Sequence, residues 1–153
     1  MVKSSLSKLF SSREAFLGST PHIKALGVEM MEYNTGGVTL KLPYRADLVA
    51  DPEGGLLSGG AISALLDHTC GYAVKARTER DNAMATLDLR IDYMKPAIVG
   101  EDVLAFAECY KVTRRIAFVR GVAYHIKREE PIANATATFM FTGPSETNPR
   151  GNI

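Results

Sequence analysis

One acidic residue, Asp67, lies in the middle of residues 55–73, where almost every other side chain is apolar or small. A carboxylate can serve as a general base that activates water, or as a nucleophile. Gly59 and Gly60 precede it and begin an Ala/Leu-rich run without proline, which favours a helix from Gly59 to about Arg77. The first N–H groups of a helix lack intrahelical acceptors and can stabilise a developing oxyanion. The segment therefore combines a carboxylate with main-chain donors.

The apolar side chains of this predicted helix point in nearly every direction around its axis, which indicates burial on most sides. One sheet can cover only one face of a helix, so we expect a second copy of the chain to cover the remaining face. The apolar positions are Ala61, Ile62, Ala64, Leu65, Leu66, Cys70, Tyr72, Ala73 and Val74.

Strand-like segments precede and follow the helix. Residues 22–35 and 37–43 predict a hairpin, and a turn-rich loop leads from it to the helix. Two strands, one long helix and four further strands predict an α+β fold, in which an antiparallel sheet packs on the helix. The four later strands are expected at residues 84–97, 101–114, 116–127 and 131–143.

Length and composition predict one domain with flanking segments. The chain has 153 residues, 46% of them hydrophobic and 23% charged, which is enough for a single core. We place the domain at residues 22–143 and a flexible tail at residues 144–153. Residues 1–21 are expected to be helical, because their apolar residues suit a short amphipathic helix: Leu6, Leu9, Phe10 and Phe16.

Charge, hydropathy and cysteine spacing disfavour several classes of function. A net charge of +1 provides no overall field for nucleic acid or an anionic membrane. No apolar run reaches the roughly 18 residues of a membrane span, and no signal peptide opens the chain, so a cytoplasmic location is expected. Cys70 and Cys109 lack metal-site spacing and are expected to be buried free thiols.

The order of these elements resembles the hotdog fold, a curved antiparallel sheet wrapped around one long central helix. More narrowly, the sequence is similar to the PaaI-like acyl-CoA thioesterases. That family has His-Gly-Gly at the helix start and an acid seven residues after the second glycine, which correspond here to Ser58, Gly59, Gly60 and Asp67. The segment "IDYMKPA", residues 91–97, also matches the end of the family's next strand. The resemblance implies hydrolysis of acyl-CoA to free acid and coenzyme A, without a metal or redox cofactor.

The resemblance also implies roles for particular residues. The Gly59 N–H would polarise the thioester carbonyl beside Gly60 and Ser58, and Asp67 would act as general base or nucleophile. Thr86 would help to hold the attacking water. Because side chains alternate along a strand, Thr86 can reach the site only at the strand mouth or on a bulge. The same alternation is expected to turn four apolar residues inward: Leu87, Leu89, Ile91 and Tyr93.

Basic residues near the strand ends would meet the phosphates of coenzyme A, with Lys95, Arg114 and Arg115 as the candidates. Two positions depart from the family pattern. Ser58 stands where the family usually has histidine, and Pro52, next to Asp51, stands where many members place an asparagine. Ser58 suits the N-cap of a helix. The three histidines, His22, His68 and His125, do not replace the missing imidazole.

The spacing of the two principal candidates predicts an oligomer. Gly59 and Asp67 are eight residues apart, which is about 12 Å along a helix. One thioester cannot contact both within a single chain, so we expect a homodimer with two composite sites, with a dimer of dimers as a further option.

Two other functions stay open for the same residues. A non-catalytic acyl-CoA-binding module, a sensor or carrier, would keep the pocket without turnover. A hotdog dehydratase or hydratase ranks last, because such enzymes pair an acid with a histidine. For a thioesterase, aromatic and medium-chain aliphatic acyl groups are the leading substrates, with the pocket depth set by Tyr72, Met84, Tyr93 and Met94.

Overall fold

The computed structural model describes residues 20–78 and 83–142, in which an antiparallel sheet packs around one long helix. The helix contacts all six strands of the sheet. In chain order the elements are α1 (Pro21–Leu26), β1 (Glu29–Asn34), β2 (Gly37–Leu42), β3 (Val49–Asp51), β4 (Leu56–Leu57), α2 (Gly59–Thr78), β5 (Met84–Tyr93), β6 (Val103–Val112), β7 (Ile116–Tyr124) and β8 (Ala133–Phe141).

The main sheet has the strand order β1-β2-β6-β7-β8-β5, with every neighbouring pair antiparallel. The two edges are therefore β1 and β5, the second of which follows the long helix directly. The short strands β3 and β4 pair with each other beside the start of α2. This arrangement places the helix start and the end of β5 at the same end of the molecule.

The predicted long helix and the four strands after it are confirmed. The prediction of a strand over residues 22–35 is wrong in its first part, because α1 occupies Pro21–Leu26 and β1 begins only at Glu29. Proline suits the first turn of a helix, and Gly27 ends α1 in the left-handed conformation with φ 70°. The strands β3 and β4 were not predicted, since two or three residues cannot show an alternating pattern.

The core lies between α2 and the sheet. Most of the apolar face of α2 is buried, but Ala64 is only half-buried. It belongs to a partly exposed stripe along the helix, formed by Gly60, Ser63, Ala64 and Asp67. The cysteines are buried free thiols as predicted, and burial raises the pKa of Cys70 to about 12. Cys70 therefore remains a thiol at neutral pH.

The predicted amphipathic helix around Leu6 to Phe16 and the predicted tail at residues 144–153 lie outside the described residues. Within the described ranges, no helix is both long enough and apolar enough to cross a membrane.

Candidate active site

Asp67 lies on the partly exposed stripe of α2 and is held by a residue of the edge strand β5. Thr86 Oγ1 donates a hydrogen bond to Asp67 Oδ1 at 3.0 Å. The β5–β8 register shifts between Thr86 and Asp88, which makes Leu87 a bulge. Thr86 consequently pairs with Phe139, a buried residue that faces α2. The bulge thus turns Thr86 towards the helix.

The same bulge corrects the expected alternation along β5. Leu87 does not point inward, since half of its side chain is exposed. Leu89 and Ile91, which follow the bulge, pack against the core as expected. Because of the bulge, the Thr86 hydroxyl and not the Leu87 side chain faces the helix.

The start of α2 is fixed by main-chain hydrogen bonds to two loops. The Ser58 N–H donates to Leu48 O at 2.8 Å, and the Leu57 N–H donates to Ala97 O at 3.0 Å. Ser58 O accepts from the Ile62 N–H at 3.4 Å, as the carbonyl of an N-cap residue does. Gly59 and Gly60 follow as the first, exposed residues of the helix. Their N–H groups belong to the turn in which the helix itself offers no acceptor.

Two hydroxyl groups converge on the carbonyl of Gly59. Tyr93 Oη donates to Gly59 O at 2.7 Å, and Ser63 Oγ lies 3.0 Å from the same oxygen. The two hydroxyl oxygens are 2.9 Å apart. The sequence did not assign this role to either residue. Ser63 stands one helical turn after Gly59, which was a weak signal, but the target of the Tyr93 hydroxyl depends on how β5 packs on α2.

A cleft of about 270 Å³ opens beside the helix start. Its lining is mostly apolar, and Lys95 is the charged residue in it. Of the residues expected to set the pocket depth, Tyr93 and Met94 line this cleft, whereas Tyr72 is buried in the core. The lining residues are Leu56, Leu57, Gly59, Ile62, Tyr93, Met94, Lys95, Pro96 and Ala97.

The two predicted arginines lie away from this cleft within the chain. Arg114 and Arg115 form the exposed turn between β6 and β7, where Arg115 O accepts from the Phe141 N–H at 2.9 Å. Phe141 pairs with Met84, the first residue of β5, whereas Lys95 follows the last. The length of β5, about 30 Å for ten residues, therefore separates the arginines from the lysine.

The histidines do not line the cleft. The His68 ring lies against that of His22, with centroids 6.3 Å apart. The pKa of His68 is lowered, mainly because the ring is partly buried. The nearby Asp67 carboxylate opposes this shift, and His22 adds to it. His125 is used in main-chain contacts, since its Nε2 accepts from the Ile98 N–H at 3.2 Å. Among the residues that the structure describes, no cluster of three or more His, Cys, Asp or Glu side chains could hold a metal ion.

Local structural roles belong to Ser58, one of the two departures from the family pattern, and to Asp51, which precedes the other, Pro52. Asp51 Oδ1 accepts hydrogen bonds from the N–H groups of Glu53 and Gly54, at 3.1 and 2.9 Å. Its carboxylate therefore stabilises the turn that contains Pro52. Ser58 acts through its main-chain groups at the start of α2.

Comparison with known proteins finds relatives that match most of this chain. The chain is 29% identical over 140 residues to the medium/long-chain acyl-CoA thioesterase YigI of Escherichia coli, an alignment that covers 83% of this chain and 89% of YigI. A crystal structure of a Pseudomonas aeruginosa protein superposes with a TM-score of 0.75 at 41% identity, covering 84% of this chain and 95% of the other. A mutant of the phenylacetic acid degradation protein PaaI from Thermus thermophilus gives a TM-score of 0.69 at 27% identity, covering 80% and 99%.

These similarities confirm the predicted hotdog fold and the resemblance to PaaI-like proteins. A family model described as the thioesterase superfamily matches residues 54–132, which include the cleft, α2 and β5. The chain belongs to the thioesterase superfamily.

Proposed function

We propose that this protein hydrolyses acyl-CoA thioesters to a free acid and coenzyme A. The observation that carries the proposal is the Asp67 carboxylate, held by Thr86 on a helix whose start presents exposed glycine N–H groups. Membership of the superfamily and the similarity to the acyl-CoA thioesterase YigI support the reaction class.

The chemistry follows from these groups by either of two routes. In the first, Asp67 accepts a proton from water as the water oxygen attacks the thioester carbonyl carbon. In the second, Asp67 attacks that carbon itself and water then hydrolyses the resulting acyl anhydride. Both routes pass through a tetrahedral oxyanion that the N–H donors at the start of α2 would stabilise. Collapse of this oxyanion breaks the carbon–sulfur bond and releases the coenzyme A thiolate. The thiolate becomes the free thiol by taking up a proton, which Asp67 returns in the first route and water supplies in the second.

The proposed site is shared between two subunits. Gly59 and Asp67 lie on one continuous helix, about 12 Å apart along its axis, so their contact with one carbonyl requires two chains. The edge strand β5 has one side unpaired in the described sheet, and Leu87 and Tyr93 are about half exposed beside it. A two-fold axis perpendicular to β5 would pair the two copies of this strand. It would also make the two α2 helices antiparallel.

The same symmetry provides a use for the separated basic residues. In an antiparallel pair, the end of one protomer that carries Arg114 and Arg115 lies towards the helix start of its partner. Lys95 lies near the start of α2 of its own subunit, beside the cleft. We therefore propose that basic residues from both subunits meet the phosphates of one coenzyme A.

The lining of the cleft favours an apolar acyl group. Leu56, Ile62 and Met94 supply apolar walls, and the volume of about 270 Å³ suits part of an elongated substrate. We propose an aromatic or medium-chain aliphatic acyl group as the substrate.

The direct test is a panel of acyl-CoAs of different chain length and aromaticity, assayed by release of free thiol. We expect the parent to hydrolyse at least one of them, and Asp67→Asn to lower kcat by about 10²- to 10⁴-fold. Asparagine keeps an acceptor for Thr86, so this variant should stay folded. The control is Asp88→Asn, which makes the same change at an exposed acid of β5 and should keep parental activity. A parent that binds an acyl-CoA but hydrolyses none would instead identify a sensor or carrier.

Mixing two inactive variants tests whether the site is shared. Gly59→Val places side-chain atoms where the substrate carbonyl would approach, and its Cβ would lie 3.4 Å from Tyr93 Oη. In a random mixture with Asp67→Asn, half of the dimers are mixed, and each has one intact site. We therefore expect about a quarter of the parental activity to return after exchange of subunits. A mixture that stays inactive while subunits exchange would show that the two residues do not act in trans.

A further inference from the structure

We propose that Tyr93 is a positioning residue that fixes and polarises the peptide unit between Gly59 and Gly60. The inference rests on the proposed function, because it assigns that peptide to the oxyanion-binding start of α2. The carbonyl of Gly59 and the N–H of Gly60 are opposite ends of one planar unit. A group that holds the carbonyl therefore also sets the direction of the N–H.

The hydrogen-bond protons at this carbonyl can be counted. Three short contacts connect Gly59 O, Tyr93 Oη and Ser63 Oγ, at 2.7, 3.0 and 2.9 Å. The two hydroxyl groups supply only two protons, so one of the three contacts lacks a proton at any moment. Tyr93 donates to Gly59 O in the shortest contact, while Ser63 can donate either to that oxygen or to Tyr93 Oη. Tyr93 is therefore the principal donor.

A hydrogen bond to a carbonyl oxygen strengthens the N–H of the same peptide as a donor, because hydrogen bonds in a chain polarise one another. The Gly60 N–H lies in the first turn of α2, where the helix dipole already favours negative charge. Tyr93 thus acts on the Gly60 N–H through the carbonyl end of the same peptide and does not touch the thioester carbonyl. This geometry gives Gly60 a donor role beside Gly59.

The Tyr93 side chain connects the cleft to the helix start. It forms part of the cleft wall, and its hydroxyl is the group that bonds to the first residue of α2. One strand, β5, also carries both orienting hydroxyls, since Thr86 holds Asp67 and Tyr93 holds the start of the helix. The strand β5 therefore positions both the Asp67 carboxylate and the N–H donors at the start of α2.

Tyr93→Phe tests the proposal, because it removes the hydroxyl and keeps the ring. We expect kcat to fall about tenfold while KM changes by no more than about twofold, since the lost bond orients a group used mainly in the transition state. Tyr110→Phe is the matched control, a tyrosine that is 52% exposed on another strand and stacks on Arg120. It should keep parental kcat. Ser63→Ala should have a smaller effect than Tyr93→Phe, because Tyr93 still donates.

A second measurement does not depend on turnover. The amide ¹⁵N resonance of Gly60 should move in Tyr93→Phe and stay in place in Tyr110→Phe, since it responds to hydrogen bonding at the preceding carbonyl. If the parent is active and Tyr93→Phe keeps both kcat and the Gly60 resonance, the positioning role is wrong. If the parent hydrolyses no acyl-CoA, the proposed function fails by itself, and the Gly60 resonance then decides the positioning role: a shift supports it and an unchanged resonance overturns it.

Discussion

The hydrogen bond from Thr86 to Asp67 gives the clearest quantitative prediction. Thr86→Val keeps the β-branched shape but removes the hydroxyl that donates to Asp67 Oδ1 at 3.0 Å. A hydrogen bond to a charged group contributes about 1.5–3 kcal/mol. Thr86 is exposed and Asp67 is half-buried, so solvent competes and the lower end of that range applies. About 1.4 kcal/mol corresponds to a tenfold change in rate, so we expect kcat/KM to fall about tenfold.

The assay is release of free thiol from the best acyl-CoA of the panel, together with a thermal melt of each variant. The stability of Thr86→Val should fall by no more than about 1.5 kcal/mol, because that is the whole contribution of the lost hydrogen bond. Thr86→Ser keeps a donor and should retain most of the parental rate. Thr136→Val is the control for a threonine-to-valine change at an exposed position of the neighbouring strand β8.

Two results would refute the reasoning. If Thr86→Val keeps the parental kcat/KM, the orientation of Asp67 does not depend on this hydrogen bond. If Thr86→Val and Thr136→Val lower activity and melting temperature alike, the effect belongs to the sheet and not to the carboxylate.

Further predictions concern stability. Gly71→Ala should stabilise the fold by about 0.5–1 kcal/mol in urea unfolding, because a helix-interior glycine is unfavourable and the new Cβ meets Met84 at an ordinary 3.6 Å; a destabilised variant would contradict this. Gly37→Ala should cost about 1–3 kcal/mol in the same assay, because its Cβ would overlap the Phe106 ring, and a neutral result would be contrary evidence. Because the pKa of His68 is lowered in the folded chain, the unfolded chain protonates this ring at a higher pH. The free energy of unfolding is therefore expected to decrease as the pH falls below 6.5. Melting temperatures across that range should fall less steeply for His68→Gln, and equal slopes would count against the assignment.

The sequence alone determined the main elements and the principal residues of the candidate site. The long run without proline after Gly59 predicted α2, and strand-like patterns between turn residues predicted β5 to β8. These features are local, because propensities and breakers act over a few residues. The resemblance carried by Gly59, Gly60 and Asp67 likewise predicted the superfamily, which the family model confirms.

Tertiary structure decided the features that depend on register and on distant contacts. The helix α1 is an exception, because its signals are local: proline suits its first turn and Gly27 its end, against the apolar pattern that suggested a strand. The bulge at Leu87 brought Thr86 to Asp67, although alternation alone turns that hydroxyl away from the helix. A bulge follows from how β5 pairs with β8, and this pairing joins residues about 50 positions apart in the chain, such as Thr86 and Phe139.

The Tyr93 hydroxyl illustrates the same limit at the level of single atoms. The sequence showed an aromatic residue at the end of β5, but its donation to Gly59 O joins residues 34 positions apart. A hydrogen bond needs its two atoms within about 3 Å and well aligned, so its partner is set only when the strand has packed on the helix. Sequence patterns therefore determined which elements form, and the packing of β5 on α2 determined which atoms meet.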